Sequence, residues 1–271
     1  MITGSVESDY REWLREFHAP AQGRRTAERN AAFFLPHLRP EFSLLDAGCG
    51  GGSITVGLAK TVGSGKVVGV DISDEAVETA RFRATEDSVS NVEFRVADAA
   101  KLDFGDATFD GVFCHALLQH VDSPLNVLRE LRRVLKPGGT IGVADADFDA
   151  SVTSPMNDVL RKSIEIVRRT RRHPTIGRDL RSLLNAAGLS CVVGSAVARS
   201  IGSGPPVKLE GEFYFRYFSA EPLIRYAEES GWASRADMAE MAQAWREWGD
   251  DPGAFSASLW LQAVARAPQT T

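Results

Sequence analysis

The sequence predicts an α/β protein built on parallel strands, and three observations carry that expectation. Residues 44–59, LLDAGCGGGSITVGLA, read as a buried strand, a glycine-packed turn and the first turns of an apolar-rich helix. Residues 66–71, KVVGVD, form a short apolar run closed by an acid, as parallel strands buried on both faces do. Strand-like and helix-like runs then alternate as far as residue 144.

The first stretch has the skeleton Asp46-x-Gly48-x-Gly50-x-Gly52. A backbone that turns sharply and lets a ligand come close cannot carry Cβ atoms. The helix that follows begins with unpaired N–H groups, which suit polar ligand atoms. A tight strand-to-helix loop with no ligand would look similar. The spacing adds information, because the dinucleotide fingerprint is Gly-x-Gly-x-x-Gly, whereas here an acid precedes glycines set at every second position.

In chain order, residues 8–18 carry Tyr10, Trp13, Leu14 and Phe17 at helical spacing. Residues 26–38 predict a second helix, with Thr26 as N-cap and Pro40 beyond its end. These helices either cover one face of the sheet or form a lid, with Arg24, Arg25 and Thr26 at the joint able to reach a carboxylate. Asp71 lies where an open α/β sheet binds ligands, beyond a strand's carboxyl end, near the offset of a ribose-binding acid. Its carboxylate can accept from two hydroxyls. Ser73 or Asp74 can cap the helix predicted over 75–84, which leaves Asp71 free for a ligand.

Residues 92–97 predict a strand ending at Asp98-Ala99, where Asp98 is either a ligand acceptor or a turn residue. Residues 107–114 predict another, ending at His115. A helix over 124–135, the turn Lys136-Pro137-Gly138-Gly139 and a strand over 140–144 follow. Beyond them the sequence predicts helices over 154–172 and 177–187, a strand over 190–197, helices over 220–231 and 234–249, and a last strand over 255–265.

Asp46-x-Gly48-x-Gly50-x-Gly52, the strand-end acids, FDGVFCHALLQHVDSP and LRRVLKPGGTIGVADADF together resemble the class I S-adenosylmethionine-dependent methyltransferases. Within that class they are most similar to the ubiquinone- and menaquinone-biosynthesis type and to bacterial small-molecule methyltransferases. The resemblance covers residues 42–148. It implies a doubly wound, Rossmann-like fold with a seven-stranded sheet whose last strand runs antiparallel beside the sixth. It also implies one methyltransferase domain over 1–271, with an N-terminal helical lid (1–40), a cofactor-binding core (41–150), a helical insertion (151–176) and a C-terminal part (177–271) with a helical cap (205–250). By the same resemblance S-adenosyl-L-methionine is held by Asp46, Gly48, Cys49, Gly50, Gly52, Asp71, Ile72, Asp98, Ala99 and His115. Asp71 then takes the ribose, and Asp98 with the Ala99 N–H takes the adenine.

His115 and Asp145 are the candidate catalytic residues. The ring of His115 is a base near neutrality, or its backbone carbonyl holds the methionyl ammonium while the ring only packs. His120 is a weaker candidate. Asp145 and Asp147, after a strand, are a base, a site for a cationic substrate, or loop acids. Tyr214 and Tyr217 line the acceptor pocket or belong to the core.

Composition narrows the function further. The chain has 271 residues and net charge −5, which gives no pull toward nucleic acid or anionic lipid. The cluster Arg168-Arg169-x-Arg171-Arg172 reads as a solvated helix end or a small anion site. Cys49, Cys114 and Cys191 lack metal spacing and predict buried thiols in a reducing compartment. No metal is required. With no apolar span and no signal-peptide core, the expected location is the cytoplasm. The expected form is a monomer or homodimer with a small-molecule acceptor. Abundant Ala, Gly and Arg hint at a high-GC bacterial source. The predicted activity is methyl transfer to a small molecule, oxygen ahead of nitrogen or carbon, in secondary or cofactor metabolism. The rivals are a non-methylating enzyme on the same fold, such as a cyclase, and a non-catalytic partner protein.

Overall fold

The computed structural model describes residues 4–269, without the side chains of Arg15, Pro20, Ala21, Gln22, Cys191 and Val192. The chain divides into two compact units. A sheet unit comprises Ala19–Asp147, Thr175–Val197 and Trp260–Thr271. A helical unit comprises Met1–His18, Phe148–Pro174 and Ala198–Leu259. The three segments expected separately as lid, insertion and cap each contribute to the helical unit.

The strands are β1 (Ser43–Ala47), β2 (Lys66–Asp71), β3 (Val92–Val96), β4 (Phe109–His115), β5 (Leu135–Ser154), β6 (Ser190–Ile201) and β7 (Phe255–Arg266). They form a mixed sheet in the order β3-β2-β1-β4-β5-β7-β6, as the doubly wound, seven-stranded expectation required. β1 pairs in parallel with both β2 and β4, so the strand order reverses at β1 and β4. Ligands of open α/β sheets bind at such a reversal. Leu44, Leu45, Val70, Val112, Phe113 and Ile141 are sealed, consistent with strands covered on both faces.

The sheet unit's helices are α2 (Ala27–Asn30), α3 (Ser53–Val62), α4 (Asp74–Glu86), α5 (Pro124–Val134) and α7 (Ile176–Ala186). Ser73 caps α4 by accepting from the Ala76 N–H, which leaves Asp71 uncommitted to the cap. α5 turns Val127, Leu128, Leu131 and Val134 into the core and its Arg-rich face outward.

Three expectations need correction. The helix expected over 26–38 is only α2 followed by a 3-10 turn, Leu35–His37. Thr26 makes no side-chain cap; its N–H donates to Asn30 Oδ1 (3.3 Å), and Pro36 has no N–H to continue a helix. The Lys136–Gly139 turn is taken into β5 as a bulge, with Phe109 opposite Leu135 and Gly111 opposite Thr140. Because β5 runs on to Ser154, the next helix, α6 (Asp158–Arg169), starts late and is capped by Asn157.

The helical unit contains α6, α8 (Pro205–Phe218), α9 (Glu221–Glu229), α10 (Arg235–Asp250) and most of α1 (Gly4–Gln22). α8 is a helix the sequence reading left unassigned. Its core is aromatic: Tyr10 stacks on Tyr226 (4.2 Å) and Tyr214 on Trp245 (4.2 Å). Tyr214 and Tyr217 therefore belong to this core. Trp245 donates to Ser163 Oγ (2.8 Å), which satisfies its indole N–H inside the apolar surroundings. Of the basic cluster, Arg168 pairs with Asp149 and Arg169 with Glu165, so both are neutralised locally.

α2 lies against α3 at Gly57, where an added Cβ would stand 2.6 Å from the Ala27 methyl. Ala in place of Gly raises helix propensity by about 1 kcal/mol. Overpacking costs about 1–3 kcal/mol, and an Ala methyl cannot swing aside. Gly57→Ala should therefore lower the melting temperature, where propensity alone would raise it. Thermal unfolding followed by circular dichroism decides between them.

Candidate functional site

The turn after β1 is built by three glycines in the left-handed region: Gly48 (φ +73°), Gly50 (φ +51°) and Gly52 (φ +73°). At two of them space is also short. A Cβ would meet Leu117 Cδ1 at 2.9 Å from Gly48, and the Ala80 methyl at 2.8 Å from Gly52. The alternate-glycine spacing thus answers backbone geometry and packing together.

The turn is fastened to β2. The Gly48 and Cys49 N–H groups both donate to the Val70 carbonyl (2.8 and 2.9 Å). The Gly50 N–H donates to Asp71 Oδ2 (2.9 Å), and the Ser73 N–H to Asp71 Oδ1 (3.0 Å). Each Asp71 oxygen accepts one backbone N–H and keeps acceptor capacity for a ligand. Ile72 beside it is 70% exposed, an apolar surface at the strand end. Asp98 is exposed and closes an Asx turn by accepting the Ala100 N–H on Oδ1 (2.8 Å), while Ala99 is buried. The turn reading of Asp98 holds, and its other oxygen is not engaged by that bond.

A small cleft of about 30 Å³ opens at the carboxyl ends of β1 and β4. Asp46, Gly48, Cys49, Gly50 and His115 line it, with Arg25, Gly51, Ser53 and Ile54. Five of the expected residues meet there. Asp71 joins them through Gly50, and Gly52 through the turn. Ile72, Asp98 and Ala99 lie outside the lining, at the ends of β2 and β3.

Asp46 is buried, and Thr55 Oγ1 donates to its Oδ2 (2.6 Å). Burial pushes its carboxyl up to about 7, opposed by the Thr55 bond and aided by the charge of Asp71. His115 is 5% exposed. Its ring stacks on Trp260 (centroids 4.6 Å, planes 19° apart), and its Nε2 lies 3.1 Å from Asn30 Nδ2. The Arg25 guanidinium sits over the same Trp260 ring, 5.8 Å from its centroid. Asn30, Thr55 and Trp260 were not found from sequence. Asn30 and Trp260 lie far from the glycine turn in the chain, and only the fold brings them to His115.

The two acids within β5, Asp145 and Asp147, part company. Asp147 is held by Arg178 through two bonds (2.5 and 2.7 Å), which answers its charge with a protein cation. Asp145 is sealed and accepts the Leu118 N–H on Oδ2 (2.9 Å). This bond secures the loop after His115, where Ala116 takes a left-handed φ of +58°. Burial pushes the Asp145 carboxyl up to about 7, against the Leu118 and Ala146 amides and the charge of Arg25. Asp145 has 0% exposure, and its bond to the Leu118 N–H ties it to this loop. Cys49 is half-buried and Cys114 buried, both free, while the side chain of Cys191 is outside the described residues.

A raised carboxyl pKa has a definite sign in stability. The unfolded Asp145 ionises near 3.8 while the folded one stays neutral to about 7, so its contribution is full below 3.8 and is lost as pH rises through 7. Asp145→Asn carries no such dependence. The melting-temperature difference, variant minus wild type, should grow from pH 4 to 7 and then level off. A difference independent of pH, in melts at four pH values, would remove the assignment.

Comparison with known proteins supplies the family. A family model described as a methyltransferase domain matches residues 38–188, more than half of the chain. An uncharacterised methyltransferase of Schizosaccharomyces pombe is 35% identical over 181 residues, 64% of this chain and 65% of its own. The 27-O-demethylrifamycin SV methyltransferase of Amycolatopsis mediterranei is 40% identical over 115 residues, 42% of each chain. The match thus spans from under half to about two thirds of these relatives' length. The crystal structure of the cyclase SpnF shares the fold at TM-score 0.56 and 22% identity, covering 92% of this chain and 84% of that one. On the family match and the glycine turn that carries it, this chain belongs to the class I S-adenosylmethionine-dependent methyltransferases.

Proposed function

We propose that the chain transfers the methyl group of S-adenosylmethionine to a small-molecule acceptor, at oxygen ahead of nitrogen or carbon. The observation that carries this reading is Asp71 held by the Gly50 and Ser73 amides at the end of β2, beside the cleft-lining turn. Two fixed oxygens with spare acceptor capacity suit a vicinal diol, and the cofactor's ribose is one. Asp98 and the Ala99 N–H serve the adenine, with Ile72 as an apolar surface for it. Asp46, Gly48, Cys49 and the His115 backbone serve the methionine end, with Arg25 available to its carboxylate. When bound, the cofactor supplies a methyl on a positively charged sulfur, already a good electrophile. The protein's part is then to orient the acceptor, keep water out and manage a proton. In-line placement at roughly 3–3.5 Å contributes several orders of magnitude in rate.

Asp145 is assigned the positioning of the loop that follows His115, and His115 the reacting end of the cleft. The rifamycin relative supports an oxygen acceptor through its own name, and a role in secondary metabolism is of the same kind.

Calorimetric titration with S-adenosylmethionine, S-adenosylhomocysteine and NAD tests the cofactor assignment, with binding expected for the first two only. Incubation with S-adenosylmethionine and phenolic, alcoholic and amine acceptors should yield S-adenosylhomocysteine. Binding without turnover over the panel would favour the cyclase-like rival. Asp71→Ala should weaken binding by one or two charge-assisted bonds, roughly 1.5–3 kcal/mol each at most. Gly50→Val, which puts a branched side chain at φ +51°, should abolish it in a chain that still folds.

Asp46 makes a further prediction. With its carboxyl near 7, about half is protonated at neutral pH. A cationic ligand in the cleft lowers that value, so binding at pH 7 should release up to about half a proton. Calorimetric enthalpies in two buffers of different ionisation heat measure the release, which Asp46→Asn should abolish.

A further inference from the structure

Asn30 has only one amide orientation open to it. The Thr26 N–H, a donor with no acceptor capacity, points at Asn30 Oδ1 (3.3 Å). Turning the amide over would set a backbone N–H against an NH₂. The NH₂ must therefore face the other way, and there it meets His115 Nε2 at 3.1 Å. An NH₂ only donates, so Nε2 must present its lone pair. The contact is sealed, with Asn30 3% and His115 5% exposed, and Trp260 holds the imidazole plane by stacking. A buried donor–donor clash here would cost a hydrogen bond with no water to replace it.

We propose that Asn30 is a positioning residue that holds His115 as the neutral tautomer with its proton on Nδ1. The Nε2 of His115 is thereby not a proton acceptor for the reaction. The backbone N–H of Thr26, transmitted through one amide, selects the imidazole's state. This deepens the methyltransferase reading by withholding Nε2 from proton transfer, and it rests on that reading only for the reaction concerned. The charged and titratable groups around the ring are Asp46 from β1, Cys49 from the glycine turn, Arg25 ahead of α2 and Asp145 on β5, one place past Ala144, the partner of His115. Acids of this kind would favour imidazolium. The Asn30 amide opposes it, because imidazolium would turn Nε2 into a second donor facing the NH₂.

The test is a long-range ¹⁵N–¹H correlation spectrum of the imidazoles in the ligand-free protein, with His115 assigned by its loss in His115→Gln. The wild type should show His115 protonated at Nδ1 and bare at Nε2 from pH 6 to 8. Asn30→Asp replaces the donor by an acceptor of the same shape and should move the proton to Nε2. Asn30→Ala should leave a mixture of tautomers. Protonation at Nε2 in the wild type would overturn the proposal, as would a pattern unchanged in both variants. The spectrum requires neither cofactor nor turnover, so a failed methyltransferase assignment and a failed tautomer assignment are distinguishable. For the active enzyme, Asn30→Asp should add a pH-dependent limb to kcat near neutrality.

Discussion

The site depends on the fastening of one turn to the neighbouring strand. Two amides of the turn share the Val70 carbonyl, and a third reaches the Asp71 carboxylate. These bonds require consecutive N–H groups to point the same way, which a chain of L-residues achieves poorly and glycines at positive φ achieve without strain. The acid of β2 is thus held by the turn of β1, and Asp71 and the cleft become one connected object. Preorganisation of this kind matters more than the number of contacts, because a ligand then meets fixed acceptors and no ordering cost is left to offset.

Two buried carboxylates, Asp46 and Asp145, flank that object, and burial raises both to about 7. Their surroundings separate their uses. Asp46 lines the cleft, with one oxygen bound by Thr55. A cation arriving there restores the charge that desolvation suppressed. Asp145 is sealed and spends its bond on the Leu118 amide, which holds a loop that begins with a left-handed alanine. The same shift therefore occurs at a cleft-lining acid in one case and a fully enclosed acid in the other. A perturbed pKa is a guide to function only together with access.

How much of this was legible in the sequence follows from locality. β2 was legible residue for residue, because a buried parallel strand is a contiguous apolar run and its acid marks the end. The glycine turn was legible because its constraint lies within seven residues. The helix over 26–38 was misread because its apolar residues Ala27, Ala31 and Phe34 are buried for tertiary reasons, while Pro36 and a failed Thr26 cap break the helix locally. α8 escaped because its aromatics pack within the helical unit, and a helix buried on several sides lacks a clear amphipathic period. The partners of His115 were illegible in principle, since Asn30 is 85 residues away and Trp260 lies further still along the chain.

That last contact bears on what the enzyme must demand of its acceptor. A hydroxyl that receives a methyl group has to lose a proton, and a histidine at the end of β4 invites the role of base. Asn30 uses the lone pair such a base would need, and Asp145 is enclosed by its own loop. On the proposed reading, with Nε2 engaged and Asp145 out of reach, deprotonation falls to the acceptor's own acidity and to solvent. An acidic oxygen, phenolic or enolic, meets that demand near neutral pH, and a neutral amine loses its proton only after transfer. An aliphatic alcohol meets it poorly. On that proposal the chemistry available to the site is narrowed by the Thr26 backbone N–H, acting through one amide and one ring.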